Sequence, residues 1–309
     1  MRNPIRILVM LAVVSFVACE NQPYESTDVT DPIFKPKCES PPCKDDGGTD
    51  PPPPPPASVE AHILYSSGIE SNVGGGGCKR GDLQHSVYRM DLTGAFERLF
   101  GDDLESQAHT MNPSFSPDGQ QFAMSRDVYT VAKGRCATEH FQIATANVDG
   151  TGFQVIREVE RSSGQVVENG LWSPAAVDGA ERIAWVEWDG NVTSSVVIAE
   201  TNGASPVPVI VQAEPEEIEG HEWNRTGDGI LVMMRDWAAG QSSLRLYGID
   251  CSGSCQTSSQ TDVGDLSPIP SSSPLGGMAW AHQHDWVALH ACTGGDCDIY
   301  RIDLNDPLA

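Results

Sequence analysis

The chain has 309 residues, with 43 acidic side chains against 19 basic ones and a formal net charge of −24. That balance argues against nucleic acid as a partner and against docking on anionic lipid through a basic patch, since both need clustered positive charge. At 39% hydrophobic residues it is long enough to bury one large core.

The first segment reads as an address. Arg2 and Arg6 flank the start of an apolar run from Ile7 to Ala18, short for a bilayer span and right for a secretory signal core. The run ends in Phe16-Val17-Ala18-Cys19, which resembles the lipoprotein cleavage box with Phe where Leu is usual. A small residue before the cut and a thiol after it suit diacylglycerol attachment. Residues 1–18 are therefore expected to be a lipoprotein signal peptide, with Cys19 lipidated. Ordinary secretion with an incidental Cys19 is the competing reading. Glu20, where Asp would signal inner-membrane retention, points to the outer membrane of a bacterial envelope. Residues 19–59 follow as a tether: Lys44 to Asp50 is flexible, and Pro51 to Pro56 is a stiff spacer rising roughly 3 Å per residue. The lipid is the expected contact with the membrane.

From residue 60 onward, short strands recur. A first, partial unit holds Ile63-Leu64-Tyr65, Ser86 to Met90 and Phe96 to Phe100, without a leading hairpin. Its loop, Gly74 to Gly77 followed by Cys78-Lys79-Arg80, lacks the Gly-Lys-Ser/Thr ending of a phosphate loop. The second unit is the clearest: Asn112-Pro113-Ser114-Phe115-Ser116-Pro117-Asp118-Gly119, then the strand Phe122-Ala123-Met124. Pro presets the backbone, Asp caps the turn with its side chain, and Gly accepts positive φ. Modified copies begin at Trp172-Ser173-Pro174 (with Asp178-Gly179), at Trp223 (with Asp228-Gly229), and more loosely at Trp280 (with Asp285). The aromatic spacings are 57, 51 and 57 residues. Third strands follow at Phe141 to Ala144, Val196 to Ala199, Leu244 to Tyr247 and Asp298 to Ile302. Fourth strands follow at Phe153 to Ile156 and Val207 to Ile210. All are β-branched or aromatic runs bounded by Gly, Asp and Asn. Repetition at this period means a solenoid, propeller or array.

The pattern Pro-x-aromatic-Ser-Pro-Asp-Gly, then an apolar strand, then a strand ending in Asp-Gly, resembles the TolB-type propeller repeat, which also builds the propellers of several peptidases. The resemblance covers residues 60–309 and is strongest in the second unit. It implies an all-β β-propeller of five to six four-stranded blades over residues 60–309, with ring closure left open by the incomplete end units. TolB's additional N-terminal α/β domain has no counterpart in the expected layout. No Gly-x-Ser-x-Gly elbow accompanies the repeats, so the peptidase relatives lend their propeller and not their activity.

Beyond Cys19, eight cysteines remain for an oxidising compartment. Their spacing pairs Cys38 with Cys43, Cys251 with Cys255, and Cys292 with Cys297. Cys78 and Cys136, in equivalent loops of consecutive units, would pair between neighbouring blades. His282, His284 and His290 form the densest histidine cluster, read here as a degenerate turn in preference to a metal site. Asp118, Asp178, Asp228 and Asp285 have turn-capping work and are not assigned to calcium. No cofactor or metal is expected.

In a propeller, the loops between second and third strands share one rim. Arg126, Tyr129, Trp188, Arg235 and Trp237 are placed there as a candidate binding surface, with packing of each Trp beneath its own loop as the alternative. The expected function is a lipid-anchored envelope propeller acting as a non-catalytic scaffold for a protein or peptide, ahead of a glycan. The alternative is a glycan-active surface enzyme, lyase-like, with a histidine-held metal.

Overall fold

The computed structural model describes residues 62–70, 83–91, 95–100, 108–132, 135–174, 180–190, 193–266, 276–281, 285–293 and 296–304. The signal, the tether, Cys19, Cys38, Cys43, Cys78, Asp178, His282 and His284 lie outside them.

The described chain is a five-bladed β-propeller. The first blade is β1 (His62–Glu70), β2 (Leu83–Asp91) and β3 (Phe96–Phe100). The second is β4 (Ala108–Phe115), β5 (Gln121–Ala132), β6 (Arg135–Asn147) and β7 (Gln154–Glu160). The third is β8 (Gln165–Trp172), β9 (Arg182–Asp189), β10 (Thr193–Glu200) and β11 (Val207–Ala213). The fourth is β12 (Glu216–Trp223), β13 (Gly229–Asp236), β14 (Gln241–Asp250) and β15 (Gln256–Asp265). The fifth is β16 (Gly276–Trp280), β17 (Trp286–Thr293) and β18 (Asp296–Asp303). Each blade is a meander of antiparallel neighbours in chain order, and one 3-10 turn, Arg161–Ser163, links the second blade to the third.

The signature hairpins form as the turn chemistry dictates. Ser116 Oγ donates to Asp118 Oδ1 at 2.6 Å, the Gln120 N–H donates to the same oxygen at 3.0 Å, and Gly119 takes φ 67°. The fourth blade rebuilds the turn with other residues. Thr226 Oγ1 donates to Asp228 Oδ1 at 2.6 Å, and the Gly229 N–H donates to Asn224 Oδ1 at 3.1 Å. The hydroxyl bond to each aspartate holds its carboxyl below the usual range, so Asp118 and Asp228 are spent on their own turns.

The core lies in the seams between blades. The aromatic that ends each first strand wedges against the second and third strands of the preceding blade. Phe115 meets Leu64 and Val87, Trp172 meets Ala123 and Ile143, and Trp223 meets Ala184, Val186, Val196 and Ile198. Leu64 and Val87 thus hold the positions that Ala123 and Ile143 hold one seam later. Hence β1 corresponds to a second strand, and among the described residues the first blade lacks its innermost strand and the fifth its outermost.

One expectation is corrected, and one blade is completed by a strand the sequence did not locate. The segment from Arg126 to His140, expected to be a loop, is a long hairpin in which β5 and β6 pair from Gln121↔Asn147 out to Ala132↔Arg135. Its β-branched and aromatic residues, Val128 to Thr130, sustain the pairing. The fourth blade gains β15, a polar strand with no apolar pattern to announce it, paired along β14 from Ser243↔Asp265 to Asp250↔Gln256.

Cys251 and Cys255 form a disulfide across the turn after β14. Cys292 and Cys297 face each other directly in the β17–β18 register, and Cys136 stands opposite Val131; these three side chains lie outside the described residues.

Candidate functional site

Strand alternation builds one wall of a cleft on the third blade. Val166, Trp188 and Ser194 are cross-strand partners on β8, β9 and β10, and two residues further along β8 the same face carries Glu168. That face turns towards the fourth blade, since Val186 and Val196, the partners in the next row, belong to the seam with Trp223. The opposite wall comes from the fourth blade: Glu214, Glu216 and Glu217 at the start of β12, and Trp237 in the turn after β13. The turn is fixed by the Trp237 N–H donating to Pro215 O at 3.0 Å. The cleft has a volume of about 630 Å³.

The two tryptophans differ. Trp188 is half-buried and packs on the seam, with its indole N–H buried and without an acceptor. Trp237 is 53% exposed; its indole N–H donates to Glu217, and the Arg235 guanidinium lies 5.2 Å from its ring centroid. Arg235 therefore props the ring that lines the cleft, and donates to Ser242 Oγ at 3.2 Å. Arg126 and Tyr129 take no part in the cleft. Arg126 is buried in β5, donating to Gln142 Oε1 at 3.0 Å and lying over the Phe153 ring; Tyr129 is buried and meets the ring of His109 at 4.8 Å. Both follow from the conversion of the expected loop into strand, which turns these side chains into the blade.

The cleft is acidic. Arg245 neutralises Glu216 through a bidentate pair, one arm of which is 2.8 Å, and the bond holds the Glu216 carboxyl below the usual range. Glu168 has no basic partner among the described residues. Burial pushes its carboxyl up to about 7, with the charges of Asp127 and Glu217 adding to the effect. Burial likewise raises Asp127 to about 6, against the pull of Arg161. Sequence reading used these glutamates only for their net balance and assigned them no site. The signal was the run Glu214-Pro215-Glu216-Glu217-Ile218-Glu219, dense enough to place several carboxylates at one strand end.

Behind the cleft runs the central channel. Each first strand carries an irregularity there: register shifts fall at Met111/Ser114, Glu168/Leu171, Ile218/Gly220 and Gly276/Met278. Asn112 and Asn169 take φ of 52° and 57° at these bulges, and Asn112 Nδ2 donates to Asn169 Oδ1 at 2.6 Å. His221, Glu222 and His290 line the same channel. His221 is 3% exposed, and the polar group its ring meets is the backbone of Ala184. Among the described residues, no group of three or more His, Cys, Asp or Glu is arranged to hold a metal ion.

No family model matches the sequence, and no curated protein does. Solved structures do align. An oligogalacturonate lyase from Vibrio parahaemolyticus matches at 8% identity over 74% of this chain and 61% of its own, with a TM-score of 0.46. An oligogalacturonate lyase in complex with manganese matches at 11% over 77% and 64%, with a TM-score of 0.49. A candidate TolB from Agrobacterium tumefaciens matches at 14% over 66% and 61%, with a TM-score of 0.43. This chain spans less than two thirds of the length of each. These are likenesses of propeller architecture, and they leave the family of this chain unassigned.

Proposed function

We propose that the chain is a lipid-anchored propeller of a bacterial envelope, held at the outer membrane through Cys19, that binds a protein or peptide segment in the cleft between its third and fourth blades. The observation that carries this reading is the meeting of Trp188 and Trp237, 49 residues apart in sequence, on facing walls of one cavity. Large amphipathic rings at the mouth of a cleft supply contact area with little rotamer cost. The cleft's hydroxyls, Thr193 and Ser194, have no histidine beside them among its lining residues, and Ser194 Oγ is occupied in accepting the Ile218 N–H at 2.9 Å. This is the lining of a binding site rather than of a nucleophile.

Two substitutions separate binding from packing. Trp237→Ala is expected to weaken ligand binding about tenfold while leaving thermal unfolding nearly unchanged, because the ring is exposed. Trp188→Ala is expected to lower the unfolding temperature as well, because that ring packs on the seam. Photocrosslinking from position 237 in intact envelopes should give a discrete protein adduct; no adduct from that position, with a folded variant, refutes the cleft as the binding surface. The anchor has its own check. Cys19→Ala should abolish lipid labelling and release the protein from the membrane fraction, and unchanged labelling would overturn it.

A second reading is favoured by one observation. A carboxyl raised to about 7 beside a second carboxylate, in a cleft with two tryptophans, is also an arrangement that handles glycans. Release of new reducing ends from envelope polysaccharides, lost in Glu168→Gln, would decide for it.

A further inference from the structure

We propose that the cleft selects a basic residue of its ligand, a lysine or arginine side chain carried on an extended peptide, whose cation completes the carboxylates of Glu168, Glu214 and Glu217 between Trp188 and Trp237. This rests on the reading of the cleft as a peptide site and specifies its chemistry.

The geometry carries the inference. Four glutamates line one cavity, and among the described residues the basic side chain bonded to any of them is Arg245, which is committed to Glu216. Glu168 is bonded by the neutral Asn169 amide, whose Nδ2 donates to Oε1 at 3.3 Å, and no cation meets it among the described residues; a carboxylate shielded from water with only a neutral partner gains from a cation. The flanking indoles are suited to the same guest. Indole faces attract a cation, as Arg235 over Trp237 shows, and their hydrocarbon surface accepts a lysine or arginine stem. The whole chain's negative balance draws basic segments towards it and repels acidic ones.

Occupancy is then linked to protons. Glu168 on β8 faces Asp127 from β5 and Glu217 from β12; Arg161 pulls on Asp127, and Arg235 stands by Trp237. Its carboxyl, raised to about 7, is mostly protonated at pH 6 and mostly ionised at pH 8. A cationic guest favours the ionised form, so binding tightens as pH rises through that window.

The test uses the full chain and end-blocked alanine heptapeptides bearing one central lysine, arginine, acetyl-lysine or glutamate, with binding followed by calorimetry. The lysine and arginine peptides are expected to bind at least tenfold tighter than the acetyl-lysine and glutamate peptides. Their affinity is expected to be about tenfold higher at pH 8 than at pH 6, as one proton demands. Glu168→Gln should flatten the pH dependence and lower the preference for charge. Should that variant not fold, Glu214→Gln, at an exposed position, is expected to reduce the preference alone. Equal binding of lysine and acetyl-lysine peptides overturns the cationic assignment and leaves the peptide site standing. No binding by any peptide, or binding indifferent to Trp237→Ala, overturns the peptide site itself.

Discussion

Trp223→Ala is expected to destabilise the propeller by about 3–5 kcal/mol, the range for removing a large buried aromatic. Trp223 ends β12 and is 2% exposed. Its ring is the wedge of the third seam, packed on Ala184, Val186, Val196 and Ile198 of one blade and on Ile230, Val232 and Tyr247 of its own. Its indole N–H also reaches across to donate to Leu171 O on β8 at 3.3 Å. Truncation therefore leaves a cavity and an unmet carbonyl on the same line of contact. Trp223→Phe should keep most of the packing and lose roughly 1 kcal/mol with the hydrogen bond. Denaturant unfolding measures both. A loss below about 1 kcal/mol for the alanine variant would show that the seam closes around the gap, and that the interblade wedge is not what holds the ring.

The second large effect is a stability optimum on the mildly acid side of neutrality, set by two consecutive residues of the channel wall. Burial pushes the His221 imidazole down to about 4 and the Glu222 carboxyl up to about 8, the latter against a hydrogen bond from the Trp223 N–H. Between about pH 6.5 and 4 the unfolded chain takes up a proton that folded His221 refuses, so stability falls as pH drops through that window. For Glu222 the sign is opposite. The folded state keeps a proton that the unfolded state has already lost above about pH 4.5. Stability is therefore fully present below that value and is lost as pH rises through about 8. Asp127 and Glu168, raised to about 6 and 7, lose stability with rising pH in the same sense, over windows that close at about those values. Each limb amounts to a few kcal/mol on the scale of about 1.4 kcal/mol per pKa unit. Thermal unfolding from pH 4 to 9 checks it. Glu222→Gln should flatten the alkaline limb and His221→Phe the acid one. An unfolding temperature that climbs steadily from pH 5 to 8 would contradict both assignments.

The elements legible in the sequence are those whose cause is local. The turn at Ser116-Pro117-Asp118-Gly119 was readable because each residue bonds within two to five positions of itself. Its counterpart at Asn224 to Gly229 kept the spacing while changing the side chains. The aromatics Phe115, Trp172 and Trp223 marked strand ends, and Cys251 and Cys255 marked a turn, for the same reason. The pairing of Trp188 and Trp237 was half legible: repeat alignment put both in equivalent second-to-third-strand connections, and both line the cleft.

What sequence alone determined, then, was a set of repeated hairpins with an apolar wedge in each, and from them the propeller class. What the tertiary structure decided was how many blades form among the described residues and which side chains from different blades converge. Arg126 and Tyr129 were assigned to a loop, but their strands pair far beyond the apolar segment, and a side chain on a paired strand must take one face or the other. The polar strand β15 exists because β14 offers it backbone partners along its whole length, which no pattern of hydrophobicity records. Glu168 and Glu217 acquire their shared electrostatics only across the seam, where burial removes the water that would have screened them. Turn chemistry is a property of neighbours in the chain, and it survives in the sequence. The cleft is a property of the angle between blades, and it is fixed only when the seams are packed.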